Sequence, residues 1–345
     1  MTFEELLAEF RDLGGLAHNI VLREGSYGRG VFPEDPTLPI LIQIPESLLM
    51  PVSKLALRNG DLIVREDAEV PERVRSFFER YQKNFSWGAG VSSQLWETES
   101  AWSQLPDAVK HKLCAMLPLE IDEKIFAAPS LIGLLLRYCI TRCTHYSSET
   151  FGSEACVMPI IELINHSMDG SEYKIRNGVL FDGKYDGEVF AHYNKLFDSL
   201  KILITYRFAA PMKIAHSLPV RIINGGKFIQ VLRNTGEYSI HNGIRLPKVT
   251  IVEEGVNLSY LTLGDTERPR MCRSIFSHLM KDTPIRNPDE VFDQIQAYNR
   301  NQYIELLRLL IGHQGAMISE LSSGALHQLA ALSTYWGSDP IEDRG

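Results

Sequence analysis

The sequence predicts an α+β fold in which a β-rich region is interrupted by a helical insert and followed by a mixed, mainly helical tail. Three observations support this prediction. Apolar and polar residues alternate over residues 18–51, with breaks at glycine and proline. Helical spacing takes over from about residue 66 to residue 148, and strand-like alternation returns over residues 154–193. We therefore expect the strands on both sides of the insert to belong to one sheet system.

The first elements along the chain are a helix, a hairpin and the helices of the insert. The segment FEELLAEFRDL has the apolar spacing of a short amphipathic helix and does not resemble a signal peptide. In HNIVLREGSYGRGVFPEDP a glycine-rich stretch separates two alternating runs, which predicts strand, turn and strand. The insert is predicted to contain helices in PERVRSFFERYQKNF, AWSQLPDAVKHKLCAML and APSLIGLLLRYCITRCTHY.

Strands return with EACVMPIIELINHS, which we interpret as a strand that ends in polar residues 165–167. YKIRNGVLF and GEVFAHY predict further strands, and LFDSLKILITYRFA predicts a helix that ends near Tyr206. Residues 216–265 are rich in strand patterns, and three helical segments follow over residues 267–337. Turns are predicted at Asn224-Gly225-Gly226 and at Asn242-Gly243.

The composition excludes several classes of protein. The chain has 345 residues, 44% of them hydrophobic, which is typical of a globular protein with a core. A net charge of -8 and the lack of any Lys/Arg block argue against a nucleic-acid surface. No apolar run is long enough to span a membrane. The five cysteines form no CxxC pair, so we expect free thiols in a reducing cytoplasm.

The common catalytic and binding motifs are absent or incomplete. GSYGRG is followed by a strand-like, proline-broken stretch, whereas a dinucleotide site needs a helix directly after the glycines. A plain hairpin turn and a loop that lets another ligand approach the backbone both remain open. Cys139 and Cys143 lack further ligands at regular spacing, so we interpret them as small core residues of one helix. Taken singly, His166 and Tyr206 are more typical of structural residues than of a site.

Three blocks in order resemble a SET-domain protein methyltransferase. They are EGSYGRGVFPED, MPIIELINHS and DGEVFAHYNKLFDSLKILITYRFA, and together they resemble the Rubisco large-subunit methyltransferase class. The resemblance implies a β-rich SET domain with a pseudoknot-like active site, interrupted by a helical insert and followed by a C-terminal domain. It divides the chain into four parts. These are the start of the SET domain (residues 1–50), the insert (51–150), the rest of the SET domain (151–215) and a substrate- or partner-binding domain (216–345).

The resemblance also implies a site for S-adenosyl-L-methionine. Asn165 and His166 would contact the adenosyl end of this cofactor, partly through backbone groups. Arg142 could pair with the carboxylate of the cofactor, because a guanidinium suits a carboxylate. The hairpin loop would give backbone contacts to the methionine end through Tyr27, Gly28, Arg29 and Gly30. No metal is required.

By the same resemblance, Tyr206 is the catalytic residue of a lysine methyltransferase. Methyl transfer needs the lysine amine in line with the sulfonium, and the amine must first lose its proton. A narrow aromatic tunnel disfavours the ammonium form, and a phenol at its end can orient the amine and stabilise developing charge. The tunnel wall is predicted to contain Glu162, Tyr173, Tyr193 and Phe208.

The sequence departs from the family pattern at several positions. Arg207 stands where the family has glycine between tyrosine and phenylalanine, and Asn194 stands where glycine usually follows the earlier tyrosine. Asp198 replaces a frequent asparagine, and Glu162 replaces the aspartate before the Asn-His pair. These departures bear on the efficiency of catalysis and on the type of substrate.

Alternatives to a lysine methyltransferase remain open at this point. One branch of the class methylates histidine, and a SET-fold protein that has lost catalysis could act as a protein-binding module. Chance motif matches in an unrelated α/β protein are a third interpretation. We expect a lysine-bearing protein substrate and no nucleic-acid or membrane partner. We also expect a monomer in the cytoplasm, with the nucleus as a further location in a eukaryote.

Overall fold

The computed structural model describes residues 1–25, 27–242 and 244–333, and the contacts divide the chain into two compact units. The first unit comprises Met1–Ser100 and Ala128–Lys195, and the second comprises Ala101–Ala127 and Leu196–Gly345. Each unit has a hydrophobic core of its own. The predicted α+β class is confirmed, because both units combine helices with mainly antiparallel strands.

The first unit contains strands that precede and follow its helices. The helices are α1 Phe3–Asp12, α2 Glu72–Phe85, α3 Val91–Ser103, whose last residues belong to the second unit, and α5 Leu131–Arg142. The early strands are β1 Leu16–His18, β2 Ile20–Gly25, β3 Gly28–Pro33, β4 Ile40–Pro45, β5 Met50–Pro51, β6 Leu55–Arg58 and β7 Asp61–Val64. The later strands are β8 Cys143–Ser148, β9 Gly152–Val157, β10 Asn165–Ser171, β11 Lys174–Ile175, β12 Gly178–Gly183 and β13 Phe190–Ala191.

Strands from both sides of the insert share a sheet, as the sequence predicts. The sheet has the order β1-β4-β12-β11, so β4 before the insert pairs with β12 after it. Alternate residues of β4, Ile40, Ile42 and Ile44, point into the core. This period of two is the pattern that places one face of a strand in a core.

The second unit consists of strand pairs, a four-stranded sheet and helices. The helices are α4 Asp107–Met116, α6 Ser199–Tyr206, α7 Met271–Met280, α8 Pro288–Leu310 and α9 Ala316–Ser333. The strands are β14 Ile214–His216, β15 Val220–Asn224, β16 Lys227–Val231, β17 Tyr238–His241, β18 Ile244–Pro247, β19 Val249–Val252, β20 Gly255–Leu258 and β21 Thr262–Asp265. The four-stranded sheet has the order β15-β16-β20-β19.

Local sequence explains the main helices. Thr2 and Glu5 form a capping box at the start of α1, which satisfies backbone N–H groups of the first turn. Pro288 begins α8, where its missing N–H costs nothing. The buried residues of α8 recur at helical spacing, as at Val291, Ile295 and Tyr303, and this face explains the length of the helix.

The structure corrects the interpretation of residues 160–167 as the end of a strand. Ile161–Leu163 is a 3-10 turn, and strand β10 begins at Asn165. Pro159 has no N–H to continue a ladder, and Ile160 adopts a positive φ of 70° that turns the chain. The apolar run is therefore a buried turn between two strands.

The helices of the insert also cover a shorter stretch of the chain than predicted. Its α-helices begin at Glu72 and end at Arg142, while Met50–Pro51, Leu55–Arg58, Asp61–Val64 and Cys143–Ser148 form strands. AWSQLPDAVKHKLCAML is two helices, because the chain breaks before Pro106. The turn at 242–243 lies between the paired strands β17 and β18, although Gly243 itself lies outside the described residues, as do residues 334–337. The four-part domain division stays a prediction.

Candidate functional site

The first two blocks of the resemblance and the start of the third lie side by side in the first unit. Strand β13, from the third block, pairs in parallel with β10, from the second, so that Asn165 faces Phe190 and His166 faces Ala191. The N–H of Val189 donates to the carbonyl oxygen of Val31 in the first block at 2.8 Å. Segments more than a hundred residues apart in sequence are thus brought to one place.

The Asn165 carboxamide joins these segments. Its Nδ2 donates to Oε1 of Glu188 at 2.7 Å and lies 3.5 Å from the carbonyl oxygen of Arg29. The glycines of the hairpin leave room for this contact. A Cβ on Gly25 or Gly30 would lie 2.3 Å from a carboxylate oxygen of Glu188. The two glycines therefore leave the space that the Glu188 carboxylate occupies.

The remaining hairpin residues are held by different contacts. The Tyr27 ring is exposed and meets Phe190 edge-on, with ring centroids 5.9 Å apart. Gly28 has φ +88°, a conformation that favours glycine. The guanidinium of Arg29 donates to the carbonyl oxygen of Phe85, the last residue of α2, at 2.6 Å. Arg29 thus connects the hairpin to the end of α2, while the Tyr27 ring packs on Phe190.

His166 lies among aromatic and polar groups that keep its ring neutral. Burial and the neighbouring His192 lower the pKa of His166 to about 4. The backbone N–H of Tyr193 donates to Nδ1 of His166 at 3.2 Å, and the two rings lie 4.9 Å apart. The Tyr193 hydroxyl donates to the carbonyl oxygen of Ile164 at 3.0 Å, and burial raises the pKa of this tyrosine to about 12.

Glu162 is buried beside Arg142 and two tyrosines. Its Oε1 accepts from the Tyr138 hydroxyl at 3.0 Å, and its Oε2 lies 4.0 Å from Nη1 of Arg142. Among the described residues, Oε2 accepts no hydrogen bond. Burial raises the pKa of Glu162, and the Arg142 charge opposes this only in part. The Tyr81 hydroxyl accepts from the N–H of Ile160 at 3.1 Å, which fixes the turn that carries Glu162.

Arg142 and Tyr173 complete the group of predicted residues in the first unit. Nη1 of Arg142 donates to the backbone carbonyl of Glu162 at 3.0 Å. Within residues 1–25, 27–242 and 244–333, its other N–H groups make no hydrogen bond to protein and could take a carboxylate. Tyr173 is half-buried, which raises its pKa, and its phenol contributes to the raised pKa of Tyr193.

Tyr206 and Phe208 belong to the second unit. Tyr206 is the last residue of α6, and its ring lies 5.9 Å from that of Phe208. Arg207 between them has φ +66°, the conformation for which the family's glycine is suited. Its guanidinium lies 4.0 Å above the ring of Trp102 and donates to the carbonyl oxygen of Ile204. The departure at Arg207 is thus accommodated inside the second unit.

Asp198, another departure from the family pattern, begins α6 and holds it. Its carboxylate accepts from the N–H of Lys201 at 2.8 Å, as a helix N-cap does. Both of its oxygens also accept from Nη2 of Arg233, at 3.1 and 3.0 Å. Nε of Arg233 donates to Glu120 at 2.8 Å. A carboxylate is needed here because the partner is a buried guanidinium.

The first unit therefore gathers ten of the predicted residues, and the second holds Tyr206 and Phe208. The ten are Tyr27, Gly28, Arg29, Gly30, Arg142, Glu162, Asn165, His166, Tyr173 and Tyr193. The sequence analysis missed Glu188. The available signal was a charged residue directly before the apolar pair Val189-Phe190, in a block already singled out.

The part of the chain that the structure describes contains neither a metal-binding cluster of side chains nor a membrane-spanning helix. No three His, Cys, Asp or Glu side chains in that part are grouped to hold a metal ion. No helix among the same residues is long and apolar enough to cross a bilayer. The cysteines are free thiols. Cys139 lies on α5, whereas Cys143 begins β8, so the prediction that both lie on one helix was wrong.

Comparisons with known proteins find similarity in structure but not in sequence. No family profile matches the sequence, and no curated protein sequence is significantly similar to it. Among solved structures, the SET domain of LSMT bound to lysine and AdoHcy is similar, with 14% identity and a TM-score of 0.43. The similarity covers 96% of this chain and 89% of that chain.

Proposed function

We propose that this protein transfers a methyl group from S-adenosyl-L-methionine to a protein side chain, with lysine as the preferred target. The observation that supports the proposal best is the meeting of Asn165 with Arg29 and Glu188. This meeting joins the three blocks through side-chain and backbone contacts, not only through their order in sequence. A chance occurrence of the three motifs gives no reason for such an arrangement.

The chemistry of the first unit fits the proposed cofactor. When bound, S-adenosylmethionine would supply a methyl group on a positively charged sulfur. Arg142 has N–H groups for the carboxylate, and the fixed backbone at Gly28 and Gly30 suits a close approach. His166 has a pKa of about 4, so it is neutral at physiological pH and adds no positive charge near a cationic ligand.

Three tyrosines would act on the substrate side. The raised pKa of Tyr173 and of Tyr193 keeps both phenols neutral, as the wall of a site for a neutral amine should be. We assign Tyr206 the catalytic role of orienting the amine and stabilising charge in the transition state. Phe208 would contribute apolar wall, and Glu162 would act mainly by holding Arg142, because those two residues are in direct contact.

The test combines cofactor binding with methyl transfer. The purified protein is titrated calorimetrically with S-adenosylmethionine and with S-adenosylhomocysteine, and tritiated S-adenosylmethionine is then used to label proteins of a lysate. Tyr206→Phe should keep the affinity for S-adenosylhomocysteine and lose about 100-fold or more of the transfer rate. Tyr298→Phe, on α8, is the matched control and should leave both unchanged. Full activity of Tyr206→Phe would disprove the assigned role.

The identity of the target residue follows from the same labelled material. Hydrolysis and amino-acid analysis distinguish methyl-lysine from methyl-histidine, and the lysine assignment is wrong if only the latter carries the label. Asn165→Ala should weaken the binding of S-adenosylhomocysteine, since the variant loses the amide that joins the hairpin to β10. An unchanged affinity would show that Asn165 does not belong to the cofactor site.

A protein-binding module without catalysis is the second candidate. Arg207 favours it, because this side chain replaces a glycine next to the proposed catalytic tyrosine. A folded protein that binds neither S-adenosylmethionine nor S-adenosylhomocysteine would support the module and overturn the methyltransferase. Saturable binding of both compounds would leave the methyltransferase as the better proposal.

A further inference from the structure

Two cysteines lie one helical turn apart where α5 passes into β8. Cys139 belongs to the last turn of α5, and Cys143 is the first residue of β8. The backbone N–H of Cys143 still donates to the carbonyl oxygen of Cys139, so residue 143 keeps the position that a continued helix would give it. Residues four apart in this arrangement have Cβ atoms roughly 5–6 Å apart. The two side chains are therefore neighbours at this junction.

Cys156, the other cysteine of the first unit, is not placed to join this pair. In the antiparallel pair of β8 and β9, Cys143 faces Val157, and Thr144 faces Cys156. Side chains alternate between the faces of a strand, so those of Cys143 and Cys156 point to opposite faces. Cys156 is also fully buried, whereas Cys139 and Cys143 are both partly exposed. Cys139 is thus the partner that the backbone offers to Cys143.

The two thiols are chemically unequal. Hydrogen bonding between them lowers the pKa of Cys139 and, together with burial, raises the pKa of Cys143. A lowered pKa increases the fraction of thiolate, which is the form that reacts with an oxidant. A partly exposed thiolate beside a second thiol is typical of cysteines that are oxidised reversibly.

We propose that Cys139 and Cys143 form a dithiol site that hydrogen peroxide oxidises to a disulfide. The Cys139 thiolate attacks one peroxide oxygen, so an S–O bond forms, the O–O bond breaks and the departing oxygen takes up a proton and leaves as water. The Cys143 sulfur then attacks the sulfur of the resulting sulfenic acid. An S–S bond forms, the S–O bond breaks, and the hydroxyl group leaves as water with the proton of the Cys143 thiol. The two thiols lose two electrons, which reduce the peroxide to two water molecules.

Arg142 lies inside the ring that this disulfide would close. Its Nη1 donates to the carbonyl oxygen of Glu162 at 3.0 Å. A covalent bond holds two sulfurs closer than a hydrogen bond does, so closure draws residues 139 and 143 together and moves Arg142. Oxidation should therefore weaken the binding of S-adenosylhomocysteine. This consequence rests on the proposed function, whereas the disulfide does not.

The first experiment maps the disulfide in the full-length chain. The protein is treated with hydrogen peroxide, the remaining thiols are alkylated, and the chain is digested with trypsin and with a protease that cuts after glutamate. Trypsin cuts after both arginines of α5 and so separates Cys139 from Cys143, and cleavage after Glu149 separates Cys143 from Cys156. Mass spectrometry should find the Cys139 and Cys143 peptides joined, and reduction should release them. Any other pairing, or none, would overturn the proposal.

Alkylation rates test the roles of the thiols. Cys139 should react with iodoacetamide at pH 7 about tenfold faster than Cys114, because burial raises the pKa of Cys114. Cys114, on α4, is a matched control because it is also a partly exposed free thiol. If Cys114 reacts as fast as Cys139, then Cys139 is not the nucleophile.

Calorimetric titration with S-adenosylhomocysteine, after the peroxide has been removed, measures the consequence for Arg142. Oxidation should weaken binding about tenfold in the wild type and in Cys114→Ser, and should not change it in Cys143→Ser, which cannot close the ring. Equal affinities of the reduced and the oxidised wild type would show that closure does not move Arg142. If the reduced wild type does not bind S-adenosylhomocysteine, the proposed function fails, while the peptide map still decides whether the dithiol site exists.

Discussion

Glu162 in the first unit and Asp198 in the second are both buried carboxylates, but their surroundings are opposite. Asp198 accepts hydrogen bonds from the guanidinium of Arg233 and from two backbone N–H groups. Glu162 accepts a hydrogen bond from the Tyr138 hydroxyl at 3.0 Å, and Nη1 of Arg142 lies 4.0 Å from its Oε2. Burial acts to raise the pKa of Asp198, but the Arg233 charge, His216 and two backbone hydrogen bonds together outweigh it and lower this pKa, whereas burial raises the pKa of Glu162.

The difference distinguishes a structural ion pair from an incomplete polar cluster. The buried Arg233 spans Asp198 and Glu120 and also donates to the carbonyl oxygens of His216 and Ser217. A cluster satisfied in this way fixes the start of α6, the helix that ends at Tyr206. Among the residues that the structure describes, Oε2 of Glu162 has no hydrogen-bond donor, and such incompletely satisfied groups concentrate at functional sites. Arg142 is the residue through which this cluster would reach a ligand.

The largest change in the free energy of unfolding is expected from breaking the Arg233–Asp198 ion pair of the second unit. Arg233→Met leaves the buried carboxylate of Asp198 without its cation, whereas Glu120 keeps Lys201 as a partner, so the free energy of unfolding should fall by about 3–5 kcal/mol. Urea-induced unfolding at pH 7, followed by circular dichroism, measures this change. Lys248→Met removes an exposed cation whose Nζ lies 3.5 Å from Glu237, and it should cost less than about 1 kcal/mol. Equal effects of the two substitutions would show that the buried cluster does not hold the unit together.

A substitution at Glu162 should raise the free energy of unfolding, by less than the Arg233 substitution lowers it. The pKa of Glu162 is raised in the folded protein, so its favourable contribution is present at low pH. That contribution is lost as the pH rises from its ordinary value of 4.5 through the raised value. Glu162→Gln should remove this loss and gain on the order of 1 kcal/mol of stability at pH 8 relative to the wild type.

Unfolding curves at pH 4 and pH 8 test this sign, with the exposed Glu97→Gln as the control. Asp198→Asn should behave in the reverse manner. The pKa of Asp198 is lowered below its ordinary value of 3.8, so its contribution is present above that pH and is lost only on acidification. A Glu162→Gln variant that is less stable than the wild type at pH 8 would contradict the proposed difference between the two clusters.

The smallest effect is expected at Arg207, a buried cation that lies on an aromatic ring. Arg207→Gly relieves a left-handed backbone by about 1–2 kcal/mol and loses a contact with Trp102 of about the same size. The net change in unfolding free energy should therefore stay within about 1 kcal/mol. Arg207→Ala loses the contact and keeps the strain, so it should be less stable than the glycine variant by about 1 kcal/mol. If Arg207→Ala were more stable than Arg207→Gly, the positive φ of residue 207 would not be a source of strain.

Much of the local structure could be predicted, because its causes lie close together in sequence. The apolar spacing of α6 and α8 predicted both helices, and the glycine turn predicted the hairpin of β2 and β3. The helix α6 was predicted to end near Tyr206, and it ends at that residue. The error at residues 160–167 arose because a continuous apolar run fits a strand and a buried turn equally well.

The sequence by itself determined the order of three blocks, the helix before Tyr206 and the residue types that a methyl-transfer site would need. Only the tertiary structure decided that Glu188 holds Asn165 and that Arg233 neutralises Asp198. It also decided that one oxygen of Glu162 has no donor within the described part of the chain. The physical reason is separation along the chain. Hydrophobic periodicity and turn chemistry act over a few residues, whereas the partner of a buried charge is chosen by the packing of distant segments.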